Sequence, residues 1–465
     1  MLFATDDEVT KNLKGLVSLN NGSVRIENNE RLIANGIDTL VENSVLNPSA
    51  KIRGLSRFII KSVALELGIV LSSIQGLYDA RGKGECSGFT VPEINIRGMS
   101  YDFSRSIFRT AHELNTGSFI FEIAKSEIGY TFQQPHEIVG VILGAAIREN
   151  HTGPVFIQGD HFQVNAKKFQ ENKEQEISGL KKLIQKGIGA GFYNIDIDTS
   201  TLVDLSKNTV VEQQRANFEV GVELTKYIRD LEPEGITISV GGEIGEVGKE
   251  NSNENELRAY LDNFNELLDK ENKGARSISK ISIQTGTSHG GVPGPDGKVV
   301  EVNLDFQCLE NLSRIARQDY GLAGAVQHGA STLPSDLFNK FPELETAEIH
   351  LATDFQNMIY DNELFPEDFK KEIYTHLRKN FASEKKENDT DEQFIYKTRK
   401  KGFGEFKSKF WNLSNEIRTE IGSHLQKKVK HLFTQLKVVD TLEITKRTTP
   451  LVKVSPILAQ EIASA

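Results

Sequence analysis

Cysteine is nearly missing from this chain: Cys86 and Cys308 are the two present, far apart in 465 residues. That excludes a disulfide framework, and free thiols fit a reducing compartment. A basic excess is missing too. The formal net charge is -10 and the pI about 5.6, whereas a general nucleic-acid binder needs a basic surface to meet phosphates. Long hydrophobic runs are also lacking. The longest, VGVILGAAI, is about nine residues, against roughly 20 for a membrane span. The opening MLFATDDEVTKN has neither a basic n-region nor an apolar h-region, so no secretion signal is expected. Together these absences predict a cytoplasmic protein with no nucleic-acid and no membrane partner.

What is present is globular composition, 38% hydrophobic, enough for one large domain with extensions or for two domains. Residues 1 to about 90 read as helical and irregular. Within them SRFIIKSVALELGIVLSSIQGLY keeps helical spacing with a break near Gly68. GKGECSG, residues 82–88, is a glycine-rich joint. Beyond it short apolar runs alternate with amphipathic segments: VPEINI, SFIFEI, PVFIQ, FYNIDI, ITISVG, ISKISIQ, AGAVQ and TAEIHL. Eight strand–helix alternations predict an α/β fold, a (β/α)8 TIM barrel with parallel strands buried on both faces. A doubly wound open sheet is the alternative, although the first strand–turn–helix lacks a G-x-G-x-x-G loop. The expected organisation is a helical N-terminal extension over 1–90, the catalytic barrel over 91–381, and a helical C-terminal tail over 382–465. That tail opens with the charged ASEKKENDTDEQ, followed by the basic YKTRKKGFGEFKSK and an amphipathic helix over roughly 405–435.

Barrels of this kind carry their chemistry at the C-terminal ends of the strands. Those positions here are rich in polar groups. The third run ends in Gly159-Asp160-His161, and the fourth in Asp196 and Asp198, followed by Thr199 and Ser200. The fifth ends in GGEIGEVGKEN, with Glu243 and Glu250. The sixth leads into TGTSHGG with His289 and Gly290, and the seventh into His328-Gly329-Ala330-Ser331. The eighth ends in His350, near Thr353 and Asp354. Four of the ten histidines fall in this small fraction of the chain.

Three histidines and a carboxylate converging on one barrel mouth suit a catalytic zinc, which takes three protein ligands and leaves a position open. For any one histidine alone, a capped or solvated loop residue is the simpler role. Asp160 and His161 should point to opposite sides of their strand. That leaves Asp160 to exchange protons with substrate, or to cap the following helix. Asp196 and Asp198 share one face, as a supporting pair or as the start of the next helix. SHGG and HGAST offer backbone amides where barrels commonly bind phosphate, a plain tight turn being the alternative. GKVVEV behind GGVPGPD reads as a mobile connection over the site.

The ordered set GDHF, GGEIGEVGKEN, GTSHGG and HGAS, over about residues 90 to 360, resembles the class II, zinc-dependent ketose-bisphosphate aldolases. The resemblance implies reversible cleavage of fructose 1,6-bisphosphate to dihydroxyacetone phosphate and glyceraldehyde 3-phosphate. It implies Zn2+ or another divalent metal, a monovalent cation, and a homodimer or homotetramer. His161, His289 and His328 match the zinc ligands, and Glu243 matches the glutamate that holds the metal in an alternative position. Asp160 matches the acid that exchanges a proton with the C4 hydroxyl, and Glu250 the mobile-loop acid acting at C3. Gly290, Gly329 and Ser331 match the loops that hold the phosphate of dihydroxyacetone phosphate. The eighth strand departs from the family's Asn-x-Asp-Thr pattern, since His350-Leu351-Ala352-Thr353-Asp354 stands there. His350, Thr353 and Asp354 remain the candidates to contact the ketone fragment. Tagatose 1,6-bisphosphate or another phosphorylated ketose stays open as substrate. In the family an arginine from a neighbouring subunit meets the distal phosphate; KTRKK reads first as a solvated charge run, with Arg399 as the candidate for that arginine. A zinc-dependent barrel hydrolase is disfavoured because INIRG lacks an H-x-H pair. A non-catalytic aldolase-like accessory subunit is disfavoured because the proton-transfer acids are kept.

Overall fold

The computed structural model describes residues 1–20, 22–245, 250–286, 292–293, 299–300, 304–330 and 333–465. Eight parallel strands close into a barrel in chain order: β1 (Val91–Asn95), β2 (Ile120–Ala124), β3 (Gly153–Gln163) and β4 (Asn194–Asp198) form one half. β5 (Ser239–Glu243), β6 (Lys280–Ile283), β7 (Ala325–Gln327) and β8 (Glu348–Leu351) form the other. Each strand pairs with the next, and β8 returns to β1 through Glu348↔Val91 to Leu351↔Ile94. The ring is therefore closed, and the open-sheet alternative falls. Each apolar run named from the sequence supplies one strand.

The helices that cover the barrel follow from capping and spacing. Glu254–Glu271 begins at a capping box, with the Asn253 side chain accepting from the Glu256 N–H while the Glu256 carboxylate reaches back to Asn253. It then buries Leu257, Tyr260, Leu261, Phe264 and Leu268 at three- and four-residue intervals. Lys173–Ala190 stops at Gly191, whose φ of 115° is cheap only for glycine. Among the described residues no helix is long and apolar enough to cross a membrane.

Both extensions are helical, with two additions in the first. A hairpin joins Val17–Asn20 to Ser23–Ile26. Gly68, at φ 77°, ends the helix Ala50–Glu66, and the helical spacing read across that break gives way to a strand, Ile69–Ser72. A short β-branched run just past a helix-ending glycine favours strand over helix. It pairs in parallel with the first residues of β3, from Ile69↔Gly153 to Ser72↔Phe156. β3 then pairs with β4 further along, from Gln158↔Asn194.

In the tail, Asn415–Gln435 buries Leu425, Val429, Leu432 and Phe433 and lies against Ser100–Glu113, where Ser106 Oγ donates to the Gly422 carbonyl at 3.0 Å. Each such apolar side chain contributes about 1.5–3 kcal/mol by leaving water. The last helix, Leu458–Ala463, brings Glu461 within 2.5 Å of the buried Lys61 and 3.0 Å of His136. Gly54 is needed there, because a Cβ would come within 2.5 Å of the Ile462 Cα.

Barrel interiors are usually filled by branched apolar side chains. This one holds a charged layer. The Lys280 ammonium, wholly buried at the start of β6, bonds Glu348, with Gln158 Oε1 at 2.9 Å and Asp196 Oδ1 at 3.1 Å. The Tyr78 hydroxyl, from the N-terminal extension, also donates to Glu348.

Candidate active site

β3 carries the local feature that builds the site. Its register against β4 shifts between Gly159 and Phe162, and His161 takes a left-handed φ of 41°. This bulge cancels the alternation expected for neighbouring residues. Asp160 and His161 consequently both reach the mouth, with Asp160 Oδ2 3.9 Å from His161 Nε2, rather than facing opposite sides. Gly159 is required by packing. A Cβ there would lie 2.5 Å from the Phe162 ring, which folds over it.

Around His161 the donors of a metal site come together. Glu243 Oε2 is 3.5 Å from His161 Nδ1, and the His161 and His328 ring centroids are 4.4 Å apart. His161, Glu243 and His328 each offer a ligand atom, all within 4.8 Å of one another. Two imidazoles and one carboxylate at a barrel mouth fit a catalytic divalent ion with open coordination. Asp198 supports the set: its Oδ2 lies 3.5 Å from His161 Nδ1, while its Oδ1 accepts from the Ser200 N–H and hydroxyl. A carboxylate behind a ligating histidine fixes the ring's orientation. Asp196, at the other end of the same strand face, instead belongs to the Lys280 layer.

Asp160 stands between this set and His350. Burial opposes its ionisation, but the His161 and His350 charges outweigh burial and hold its carboxyl well below the usual range. His350 Nδ1 lies 3.3 Å from Asp160 Oδ1, and Nε2 lies 2.6 Å from Glu93 and 2.8 Å from Glu348. Glu122 completes this ring of acids, its Oε2 3.9 Å from His350 Nδ1. Burial, with the neighbouring Asp160 and Glu93 charges, pushes the Glu122 carboxyl well above its usual value. Glu93 is raised as well, by burial against the opposing pull of His350.

The other positions named from the sequence fall in several places. Gly329 (φ 69°) and Thr353 line the mouth pocket. His289, Gly290 and Ser331 lie outside the described residues. Glu250 is exposed at the start of the described segment after β5. Asp354, in the first turn of Thr353–Tyr360, meets Lys428 at 2.8 Å. Arg399 is neither a solvated charge nor at the mouth. It is 6% exposed and its guanidinium clasps Asp361 at 2.7 and 3.0 Å and Asn357 at 2.6 Å.

Its neighbour Lys400 lines the mouth instead, above the Tyr130 ring, together with Arg97, Lys125 and Lys168. These rim cations escaped the sequence reading. Arg97 immediately follows VPEINI, so the strand-end rule applied to the first run would have found it. Lys400 could not be found that way, because the fold of the tail decides which residue of KTRKK turns inward.

The sequence model of the family described as fructose-bisphosphate aldolase class-II matches residues 80–416. No curated protein sequence matches the chain. Among solved structures, the fructuronate-tagaturonate epimerase UxaE from Cohnella laeviribosi is similar at 11% identity, over 94% of this chain and 91% of that one, with a TM-score of 0.55. A probable tagatose 6 phosphate kinase from Sinorhizobium meliloti is similar at 13% identity, over 81% and 97%, with a TM-score of 0.51. At such identities the two structures speak for the fold, whereas the family match spans well over half of the sequence: the chain belongs to the class II fructose-bisphosphate aldolase family.

Proposed function

We propose that the protein reversibly cleaves fructose 1,6-bisphosphate to dihydroxyacetone phosphate and glyceraldehyde 3-phosphate, with zinc held by His161, His328 and Glu243 together with His289. The observation that carries this reading is the convergence of two imidazoles and a carboxylate beside Asp160 at the mouth of the barrel. Zinc bound there supplies a Lewis acid for the ketone oxygen and offsets the negative charge that grows on the three-carbon fragment.

The chain's own groups move the protons. Asp160 takes the proton of the C4 hydroxyl as the C3–C4 bond breaks and the aldehyde forms. The bond's electron pair stays on the ketone fragment, and Glu250 delivers a proton to its C3. Condensation runs the same transfers backwards. Gly290, Gly329 and Ser331 hold one phosphate with a monovalent cation, and His350 and Thr353 flank the ketone fragment, whereas Asp354 is held away from it by Lys428. The rim cations Lys125, Lys168 and Lys400 offer positive charge to the distal phosphate. A Schiff-base route through Lys280 is disfavoured. Although burial opposes it, Asp196 and Glu348 hold that ammonium above its usual pKa, so the free amine is scarce. As a homodimer or homotetramer in the cytoplasm, such an enzyme would serve glycolysis or gluconeogenesis.

A second reading is favoured by His350, which sits among acids where the family has an asparagine that meets substrate. In it, the substrate is tagatose 1,6-bisphosphate or another phosphorylated ketose.

Coupled assay of triose-phosphate release from both bisphosphates, before and after chelator and with zinc restored, tests these readings. Cleavage of fructose 1,6-bisphosphate that is lost with chelator and regained with zinc supports the first. Preference for the tagatose isomer supports the second. Chelator-resistant turnover overturns both.

A further inference from the structure

Inside the barrel, four consecutive strands aim side chains at one point. β8 contributes His350, β1 Glu93, β2 Glu122 and β3 Asp160; the register sets His350 beside Glu93, while Glu122 and Asp160 reach the same point from two residues apart along their strands, opposite Gln158 and Ala124. Each of the four offers a ligand atom within 4.8 Å of the others. None of them belongs to the His161–Glu243–His328 group.

We propose that Glu93, Glu122, Asp160 and His350 form a second divalent-cation site beneath the mouth, suited to a hard ion such as Mn2+.

The cluster is more than a collection of acids. Glu122 is 2% exposed, and its Oε2 has no hydrogen-bond partner among the described residues. Glu93 is wholly buried, and its Oε1 likewise has none, although its Oε2 accepts from Gln158 at 2.5 Å. Orphaned carboxylate oxygens are costly in a protein interior unless something positive meets them. Of the nearby cations, Lys280 is committed to Glu348 and Asp196, and Arg97 to Glu127 at 2.6 Å, which leaves the single His350 ring to face all three carboxylates. One imidazole faces three carboxylates, a donor set of three oxygens and one nitrogen. Oxygen-rich sets select Mn2+ or Mg2+, whereas the imidazole-rich group above suits zinc. Asp160 would join the two, its Oδ1 turned to His350 and its Oδ2 to His161. The site does not depend on which ketose the enzyme uses.

The test counts metal. Full-length protein stripped by chelator is loaded with Mn2+, dialysed, and analysed for bound manganese by elemental analysis and electron paramagnetic resonance. Two equivalents per chain are expected, with a resonance altered by coupling between them. Glu122→Gln preserves shape and should lose one equivalent, as should His161→Asn, and the two together should lose both. Near-ultraviolet dichroism reports folding. If Glu122→Gln misfolds, Glu93→Gln gives the same reading. One equivalent in the unaltered protein, or two retained in both carboxylate variants, overturns the proposal. So does a single ion that only the double variant abolishes. Failure to cleave any ketose bisphosphate leaves these counts untouched, so the two proposals fail separately.

Discussion

Lys280→Met removes one charge from the centre of the barrel while keeping nearly the same length and volume of side chain. Lys280 is wholly buried, and its ammonium bonds Glu348 while standing 2.9 Å from Gln158 Oε1 and 3.1 Å from Asp196 Oδ1. Glu348 is itself wholly buried, so no water can replace the lost cation. Removing one partner of such a pair costs about 3–5 kcal/mol, because the other charge stays uncompensated. The packing change is smaller, since volume-conserving swaps usually cost under about 1.5 kcal/mol. Burial opposes the ammonium, but Asp196 and Glu348 raise its pKa above the ordinary 10.5. A raised base stabilises the fold fully below its unfolded pKa and loses that stability only as pH rises through the folded value. The whole effect is therefore present at pH 7. Urea unfolding of metal-free protein, followed by circular dichroism, should show a lower midpoint at unchanged slope. Adding Glu348→Gln to Lys280→Met should return ~2 kcal/mol or more, since neutralising the acid removes the orphaned charge. A cost below ~1 kcal/mol, or an equal cost with and without Glu348→Gln, would refute the reasoning.

Asp160→Asn should lower turnover by roughly 10²-fold or more while zinc bound at the His161 group persists; loss of that zinc on elemental analysis would reassign the residue as its ligand. Burial lowers the His151 pKa from 6.5 to about 4, a gap worth ~3 kcal/mol. The stability it represents is present above pH 6.5 and is lost as pH falls toward 4. Stability of His151→Gln should fall less over that window in urea titrations, and parallel curves would count against it. Arg399→Ala should cost ~2 kcal/mol of stability through its lost clasp on Asp361 and Asn357, with KM unchanged. Lys400→Ala should instead raise KM with little change in unfolding midpoint.

The barrel was legible because each buried parallel strand leaves a short apolar, β-branched run, and each covering helix a spaced one. The convergence of His161, His328 and Glu243 on one candidate site was legible for a related reason: at the ends of such runs, polar residues stand out. The bulge in β3 was not legible. Nothing in Gly159-Asp160-His161 announces that a non-glycine residue will take a left-handed backbone, because pairing with β4 imposes it. Glu93, Glu122, Lys280 and Glu348 were hidden in another way. Each sits inside an apolar run, where alternation marks an inward position without saying that the interior is charged. The inserted strand Ile69–Ser72 was read through as helix, since three apolar residues and a serine carry too little periodicity to choose.

That inserted strand alters what counts as the smallest piece able to fold. β3 is shared along its length, with the extension at its beginning and β4 further on. The seam between β3 and β4 is therefore half zipped by residues far outside the ring. Trimming the chain to its eight strands would not yield a minimal barrel but one with an unpaired edge at Gly153–Phe156, a template for another chain's backbone. The extension behaves less like an appendage than like a missing stave, and translation delivers it before the ring it must close.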